Sequence, residues 1–253
     1  MARRKRSNGK KTGRPSRLFI TFLFAVFILI LGFYILSLPI WQIKEVVVNG
    51  ARMLSPDEIR TMAAVPVSEN LFLAGLGRAR ENLKKITAIK SFSFYRIPPG
   101  TVLINITERR PLATIVLKDR SIIIDRHGYI INRNPNLTLN IPNQADLPVV
   151  SGVEQAGLDR AEQVDPAVSA LIAEIIDKLA PYLESKRMQL ELGGLRDINL
   201  LLDDILRVKV GEAANVREKM AVFRALLKVI SGRWDQVEYV DVRFPDNPVI
   251  KYK

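Results

Sequence analysis

His127 is the only histidine in the chain, and there is no cysteine. Disulfide frameworks, thiolate zinc sites and His-based metal clusters are thereby excluded, and a Ser-His-Asp arrangement would have to run through this one imidazole. It lies in Asp125-Arg126-His127-Gly128, a turn composition, where an exposed turn residue is the favoured reading. Asp203-Asp204 has the charge to hold a divalent cation, but neighbouring carboxylates on a strand point to opposite faces, and a hairpin turn accounts for them better. Gly75-Leu76-Gly77 opens like a dinucleotide-binding loop, yet Arg80 stands where the last small residue belongs and no strand feeds it. Glu108, Arg109 and Arg110 read as a surface strand end rather than an acid-base pair. No GK-S/T phosphate loop and no CxxC motif occurs. The reading is of a protein without catalytic residues, cofactor or metal, which works by binding. A membrane-tethered enzyme acting on cell wall or peptides is the alternative.

The elements that would position a binding site begin at a membrane. The chain has 253 residues, 38 Lys or Arg against 26 Asp or Glu, a net charge of +12 and 48% hydrophobic residues. Such a length predicts one large domain or two small ones. The charge is concentrated: Arg3, Arg4, Lys5, Arg6, Lys10, Lys11, Arg14 and Arg17 fall within residues 1–17, which contain no acid. That run is too polar to bury a core and is expected to be a disordered tail. Leu18 to Leu38 then gives 21 uncharged residues, enough at ~1.5 Å per residue to cross roughly 30 Å of hydrocarbon. With no small-residue cleavage site, and with Leu38-Pro39-Ile40-Trp41 at its end, residues 18–41 read as an uncleaved transmembrane signal-anchor, with Pro39 ending the helix. Tyr34 and Trp41 suit the interfacial aromatic belt, and the basic flank places the N-terminus in the cytoplasm with everything from about residue 42 outside. The basic tail is better explained as a topology signal and lipid contact than as a nucleic-acid binder, so the bilayer is an expected partner and nucleic acid is not.

Residues 42–109 predict a small α+β module. Ile43–Val48 is a β-branched run closed by Asn49-Gly50, and Ser55-Pro56-Asp57-Glu58 has the makings of a capping box for a short helix reaching about Ala64. A second helix is expected from about Arg78 to Ile86, burying Ala79, Leu83 and Ile86. Ile89–Ile97 and Thr101–Glu108 alternate as strands around Pro98-Pro99-Gly100. The order strand, helix, helix, strand, strand resembles a POTRA domain.

Residues 110–253 predict a second, mixed α+β domain with a largely antiparallel sheet. Strands are expected at Ala113–Lys118, Ser121–Asp125, Tyr129–Ile131, Met188–Leu192, Ile198–Leu202, Ile205–Val210, Val237–Phe244 and Pro248–Tyr252. Helices are expected from Pro166 to about Tyr182 and from Glu212 to Ile230. In the second, Val216, Met220, Phe223, Leu227 and Ile230 would face inward, and Arg217, Lys219, Arg224 and Lys228 largely outward.

Four short motifs narrow the resemblance. Arg96 and Pro98 precede a strand ending in Glu108-Arg109-x-Pro111; Asp125-x-x-Gly128 sits in a hairpin; Leu147-Pro148 leads to Gly152; and Tyr239-Val240-Asp241-Val242-Arg243-Phe244 is followed by a last strand. Together with the anchor they cover nearly the whole chain, which resembles the FtsQ/DivIB family of bacterial cell-division proteins. Val242 and Phe244 replace the family's commoner Leu and Tyr, and Asp203-Asp204-Ile205 stands where many members have Asp-Gly. The resemblance implies a bitopic, non-enzymatic scaffold of the cytoplasmic membrane, concentrated at the septum. It implies capture of FtsB/DivIC-like and FtsL-like coiled-coil partners by the second domain and of other divisome components by the first. Matched to the terminal motif, the partner-binding residues are Arg243, Phe244, Asn247, Val249, Ile250 and Tyr252, supported by Tyr239 and Asp241. A last strand at Pro248–Tyr252 would offer an unpaired edge to such a partner. For Tyr239, Val240 and Val242, ordinary sheet core is the favoured alternative. Another POTRA-bearing translocation or assembly factor is the remaining alternative, although about 140 residues with two helices do not make a membrane barrel.

Overall fold

The computed structural model describes residues 17–154, 158, 161–183 and 187–253. The basic run expected to be a disordered tail lies, except for Arg17, outside them. Among the described residues two compact units are present, one formed by residues 17–45 with Pro66–Gly75 and Arg96–Val102, the other by Val46–Val65, Leu76–Tyr95 and the described part of Leu103–Lys253.

The first unit is built on helix α1 (Arg17–Leu36), which has no buried residue and is long and apolar enough to cross a membrane. The helix ends at Leu36, two residues short of the apolar run, and Pro39 opens a 3-10 turn over Pro39–Trp41 instead of terminating the helix itself. Beyond it Ile43 N–H donates to the Glu69 carbonyl, Ser68 N–H to Ile43, and Lys44 N–H to Gly100, each at 2.8 Å.

A three-stranded sheet follows in the order β1 (Glu45–Asn49), β3 (Thr101–Glu108), β2 (Ile89–Ile97), with helices α2 (Pro56–Ala63) and α3 (Gly77–Lys84) packed on each other. The alternation of Leu103, Ile104, Asn105 and Ile106 buries Ile104 and Ile106, and the helical spacing buries Ile59, Ala63, Ala79 and Leu83. The expected capping box does not form, since Ser55 sits at the cap without a side-chain bond. Pro56 at the first helical position, with Asp57 and Glu58 against the helix dipole, sets the start instead.

The rest of the chain builds an eight-stranded sheet: β4 (Pro111–Val116), β5 (Ser121–Asp125), β6 (Val149–Ser151), β7 (Met188–Leu192), β8 (Ile198–Leu202), β9 (Leu206–Gly211), β10 (Val237–Asp241) and β11 (Val249–Tyr252), in spatial order β5-β4-β6-β7-β8-β9-β10-β11. Helices α4 (Pro166–Leu183) and α5 (Val216–Val229) share one hydrophobic core with the inward residues of these strands. The sheet is mixed, with four of its seven strand pairs antiparallel. The pairs β6-β7 and β9-β10 are parallel because α4 joins β6 to β7 and α5 joins β9 to β10, and a helical crossover returns the chain in the same direction; β4-β6, connected through β5 and a loop, is parallel as well. Asp203 and Asp204 make the β8-β9 hairpin turn, both with positive φ (54° and 58°).

Three local expectations are corrected. Tyr129–Ile131 forms only isolated bridges, Ile124 to Ile130 and Tyr129 to Gln163, because the chain merely crosses the outer side of β5 there. Helix α5 starts at Val216, four residues late, after Asn215 takes a left-handed conformation (φ 55°). Lys219 is buried rather than outward; its ammonium donates to the Glu212 carbonyl at 2.7 Å, and burial pushes its pKa down.

Glu108 and Arg109, expected at a bare strand end, instead fasten this unit together. The Glu108 carboxylate accepts the backbone N–H groups of Arg52, Met53 and Leu54 (3.1, 2.9 and 2.9 Å), fixing the loop after β1. Met53 accepts in turn from Asn140 N–H at 2.8 Å. Arg109 donates through Nη1 to Asp125 Oδ2 at 2.8 Å and through Nε to the Thr87 carbonyl at 2.9 Å, while its guanidinium lies 3.6 Å over the Tyr129 ring. The two charged side chains are only 12% and 6% exposed, so removing one leaves the other buried without its counter-charge. Arg109→Met is expected to lower stability by about 3 kcal/mol, seen as a lower thermal midpoint of the full chain in detergent, with Arg110→Met near wild type.

Candidate partner-binding edge

Strand β11 is the terminal strand of the eight-stranded sheet and pairs with β10 alone, antiparallel, in the register Asp241–Val249, Val240–Ile250, Tyr239–Lys251 and Val237–Tyr252. The register slips between Val237 and Tyr239, a β-bulge in which Glu238 and Tyr239 together oppose Lys251. Lys253 N–H donates to the Gln236 carbonyl at 3.0 Å. Ladder bonds alternate along an antiparallel strand, so the N–H and C=O groups of Ile250 and Tyr252 point away from β10, toward the open side.

The eight residues expected to bind a partner occupy distinct positions around this edge. Ile250 lies opposite Val240 and packs on the core, and Tyr252, half exposed, closes the strand on the same face. Val249 is exposed on the other face beside Asp241, and Tyr239 stands next to Lys251. Phe244 and Asn247 belong to the reversal between the strands, closed by Asn247 N–H to the Phe244 carbonyl at 3.0 Å, and the Phe244 ring is 70% exposed. A phenyl ring left in water beside an open edge is what a binding site would use. Arg243 is engaged within the chain: its Nε and Nη2 donate to the Asp241 carboxylate at 3.0 and 2.7 Å, and its stem covers Gly211. Of the residues also read as ordinary core, Val240 and Val242 are fully buried, whereas Tyr239 is half-buried on the face away from the helices.

That open face carries groups the motif did not name. Successive pairings align Gln189, Leu201, Arg207, Tyr239 and Lys251 in one row and Glu191, Asn199, Lys209, Asp241 and Val249 in the next. Lys209 places its ammonium 3.9 Å from the Tyr239 ring centroid and Lys251 places its own at 5.6 Å, while Lys251 also pairs with Glu238 at 2.8 Å. A shallow groove of about 410 Å³ runs between Gln189, Glu191, Asn199, Leu201, Arg207 and Lys209. The alternation of Arg207 and Lys209 on β9 was the available signal, since residues two apart on a strand share a face.

The residues whose types could do chemistry are engaged otherwise among the described residues. Asp125 Oδ1 accepts the His127 and Tyr129 N–H groups, which shapes the turn and leaves the imidazole exposed. Asp204 is tied to Arg187 and Gln189. Among the described residues no three His, Asp or Glu side chains gather as metal ligands.

Burial pushes the Asp241 carboxyl up, but the bonds from the Arg243 side chain and backbone N–H, with the nearby charges of Arg243 and Lys209, outweigh it and hold the group below the usual carboxylate value. A lowered folded-state pKa contributes stability that is complete above the unfolded value, near ~3.9, and is lost as pH falls through the folded one. Asp241→Asn is therefore expected to reduce stability at neutral pH and to narrow its gap to wild type below about pH 4, read from unfolding midpoints across an acid series.

Comparison with known proteins agrees with this architecture. Residues 41–109 match the POTRA domain, FtsQ-type, and residues 113–243 match the C-terminal domain of cell division protein FtsQ/DivIB. The chain is 28% identical over 211 residues to cell division protein FtsQ of Corynebacterium glutamicum, covering 83% of this chain and 89% of that one. It is 25% identical over 223 residues to cell division protein DivIB of Clostridium acetobutylicum, covering 85% and 84%. With DivIB of Staphylococcus aureus it shares 23% over 212 residues, 81% of this chain but 44% of that longer protein. An FtsQ-type POTRA module followed by the matching C-terminal domain over more than half the chain settles the assignment: the chain belongs to the FtsQ/DivIB family of cell division proteins.

Proposed function

We propose that this protein is a membrane-anchored scaffold of the division machinery that binds partners rather than turning over a substrate, and that β11 captures a strand from an extracytoplasmic coiled-coil partner of the FtsB/DivIC or FtsL type. In this reading residues 1–17 are a cytoplasmic tail and residues 18–41 a single-pass anchor. Residues 42–109 form a module that meets other divisome components, and residues 110–253 carry the captured strand, all outside the cytoplasm at the septum.

The supporting observation is the contrast between the two ends of the eight-stranded sheet. At β5 the outward groups are occupied: Ile131 N–H donates to the Ile123 carbonyl at 2.7 Å, Asn132 Oδ1 accepts Ile123 N–H at 2.8 Å, and Asp125 N–H donates to the Tyr129 carbonyl at 3.0 Å. At β11, among the described residues, no segment lies beyond Ile250 and Tyr252. A strand added there gains main-chain hydrogen bonds, while Phe244, Val249 and the Tyr239–Lys251 surface set which strand fits.

The test is binding of the purified full chain, in detergent, to the coiled-coil partner from the same organism. Tyr252→Pro removes one outward N–H and leaves the β10 ladder intact, and is expected to weaken binding by at least about 1 kcal/mol, roughly fivefold. Phe244→Ala is expected to weaken it also, without a change in melting temperature. Full affinity in both variants would refute edge capture.

A further inference from the structure

We infer that the turn Asn70–Ala74, beside the outer end of α1, is a second membrane contact that seats Phe72 and Leu73 in the lipid interface. The inference rests on reading α1 as the transmembrane anchor.

The depth of this turn is fixed by hydrogen bonds within one compact unit. Asn70 Nδ2 donates to the Leu36 carbonyl at 2.6 Å, and Trp41 folds back so that its Nε1 donates to the Ile35 carbonyl at 2.8 Å. The Phe72 ring meets Trp41 edge to face, with 5.4 Å between centroids. Asn70, Trp41 and Phe72 are thus held at the level of the last turn of α1. A 20-residue helix spans about the 30 Å of the hydrocarbon core, so that level is the boundary between acyl chains and headgroups. Aromatic and aliphatic side chains partition there. Leu73 is 63% exposed, Ile40 52% and Ile97 44%, all in the same unit. These are costly side chains to leave in water and suitable ones for lipid.

The backbone is prepared for such a place. Acyl chains offer no hydrogen-bond partners, so a turn at the edge of the hydrocarbon is favoured when it satisfies its own polar groups. Asn70 Oδ1 accepts from Phe72 N–H (2.9 Å) and Leu73 N–H (3.2 Å), the Asn70 carbonyl accepts from Ala74 N–H (2.7 Å), and Leu71 N–H donates to the Trp41 carbonyl (2.6 Å). The carbonyls at the end of α1 are met as well: Phe33 by Ser37 N–H and Oγ, Tyr34 by Ser37 N–H, Ile35 by Trp41 and Leu38 N–H, and Leu36 by Asn70. A helix end and turn facing bulk water would need none of this self-sufficiency.

The chain has no cysteine, so single labelling sites can be introduced cleanly. The full-length protein carrying Leu73→Cys or Leu29→Cys, each labelled with an environment-sensitive fluorophore, is reconstituted into phosphatidylcholine–phosphatidylglycerol vesicles. Quenching by acyl-brominated lipid and by aqueous iodide is then measured. Leu73 is exposed, so its replacement leaves no hole in the core. The expected result at position 73 is a blue-shifted emission, a loss of intensity with brominated lipid and shielding from iodide, with position 29 as the deep benchmark. If position 29 is quenched by brominated lipid while position 73 stays open to iodide and unquenched by lipid, the second contact is overturned and the anchor stands. If position 29 is not quenched, the anchor reading fails and takes this inference with it.

Discussion

A guanidinium is a permanent charge, so a fold that buries one must be built around its neutralisation, and this fold buries Arg109. Here the guanidinium is shared among the Thr87 carbonyl, the Asp125 carboxylate and the Tyr129 ring. The same Asp125 uses its other oxygen to hold the His127 and Tyr129 amides, which fixes the turn at Gly128. A Cβ at Gly128 would lie 2.8 Å from that of Ser169, so this turn rests directly on the first turn of α4. From there the chain runs across β5 and occupies its outer hydrogen-bonding groups. One desolvated ion pair therefore ties the three-stranded module to the large sheet beside β5, and among the described residues β11 is the end of that sheet left uncovered. Such a pair contributes little net energy of its own, but it tolerates few alternative arrangements, because any other leaves a charge without a partner.

What the sequence made legible was local. The alternation in Thr101–Glu108 gave β3 at its observed limits, and the helix expected from Pro166 is α4, which buries Leu171, Ile172, Ile175, Ile176 and Leu179, whereas Ile89–Ile97 forms its strand with only Ile89 buried. These patterns are written by burial on one face within a few residues. Strand direction is not written that way. The parallel pairs β6-β7 and β9-β10 follow from α4 and α5 acting as crossovers, and the strand-helix-strand order that signals them was present but is weaker than the hairpin signals around it. Lys219 was misplaced for a related reason: an ammonium normally marks the solvated side of a helix, and only the carbonyl of Glu212 arriving from before the helix allows it to be buried. At the candidate site, the terminal motif identified the strand, but the roles of its members are set by pairing. Arg243 turns back onto Asp241, and the cations around Tyr239 come from β9 and β11 through long-range register.

The motifs that carried the family resemblance have physical reasons in this structure. Glu108-Arg109-x-Pro111 fixes a loop through three amides and then supplies the buried guanidinium. The glycine of Leu147-Pro148-x-x-x-Gly152 has φ +75°, and a Cβ there would come within 2.0 Å of the Leu192 carbonyl, so only glycine lets β6 finish beside β7. Both motifs secure the chain at a distance from β11.

The bulge at Glu238–Tyr239 has a consequence for how such an edge can be left open at all. A flat, regular terminal strand is a template for any extended chain, including another copy of itself, and is the usual starting point for aggregation. Two residues facing one increase the local twist and break the even spacing of the ladder, and the Lys251–Glu238 pair adds charge at the same place. A single extra residue in the neighbouring strand thus makes this end of the sheet a poorer template for self-association than a flat edge would be.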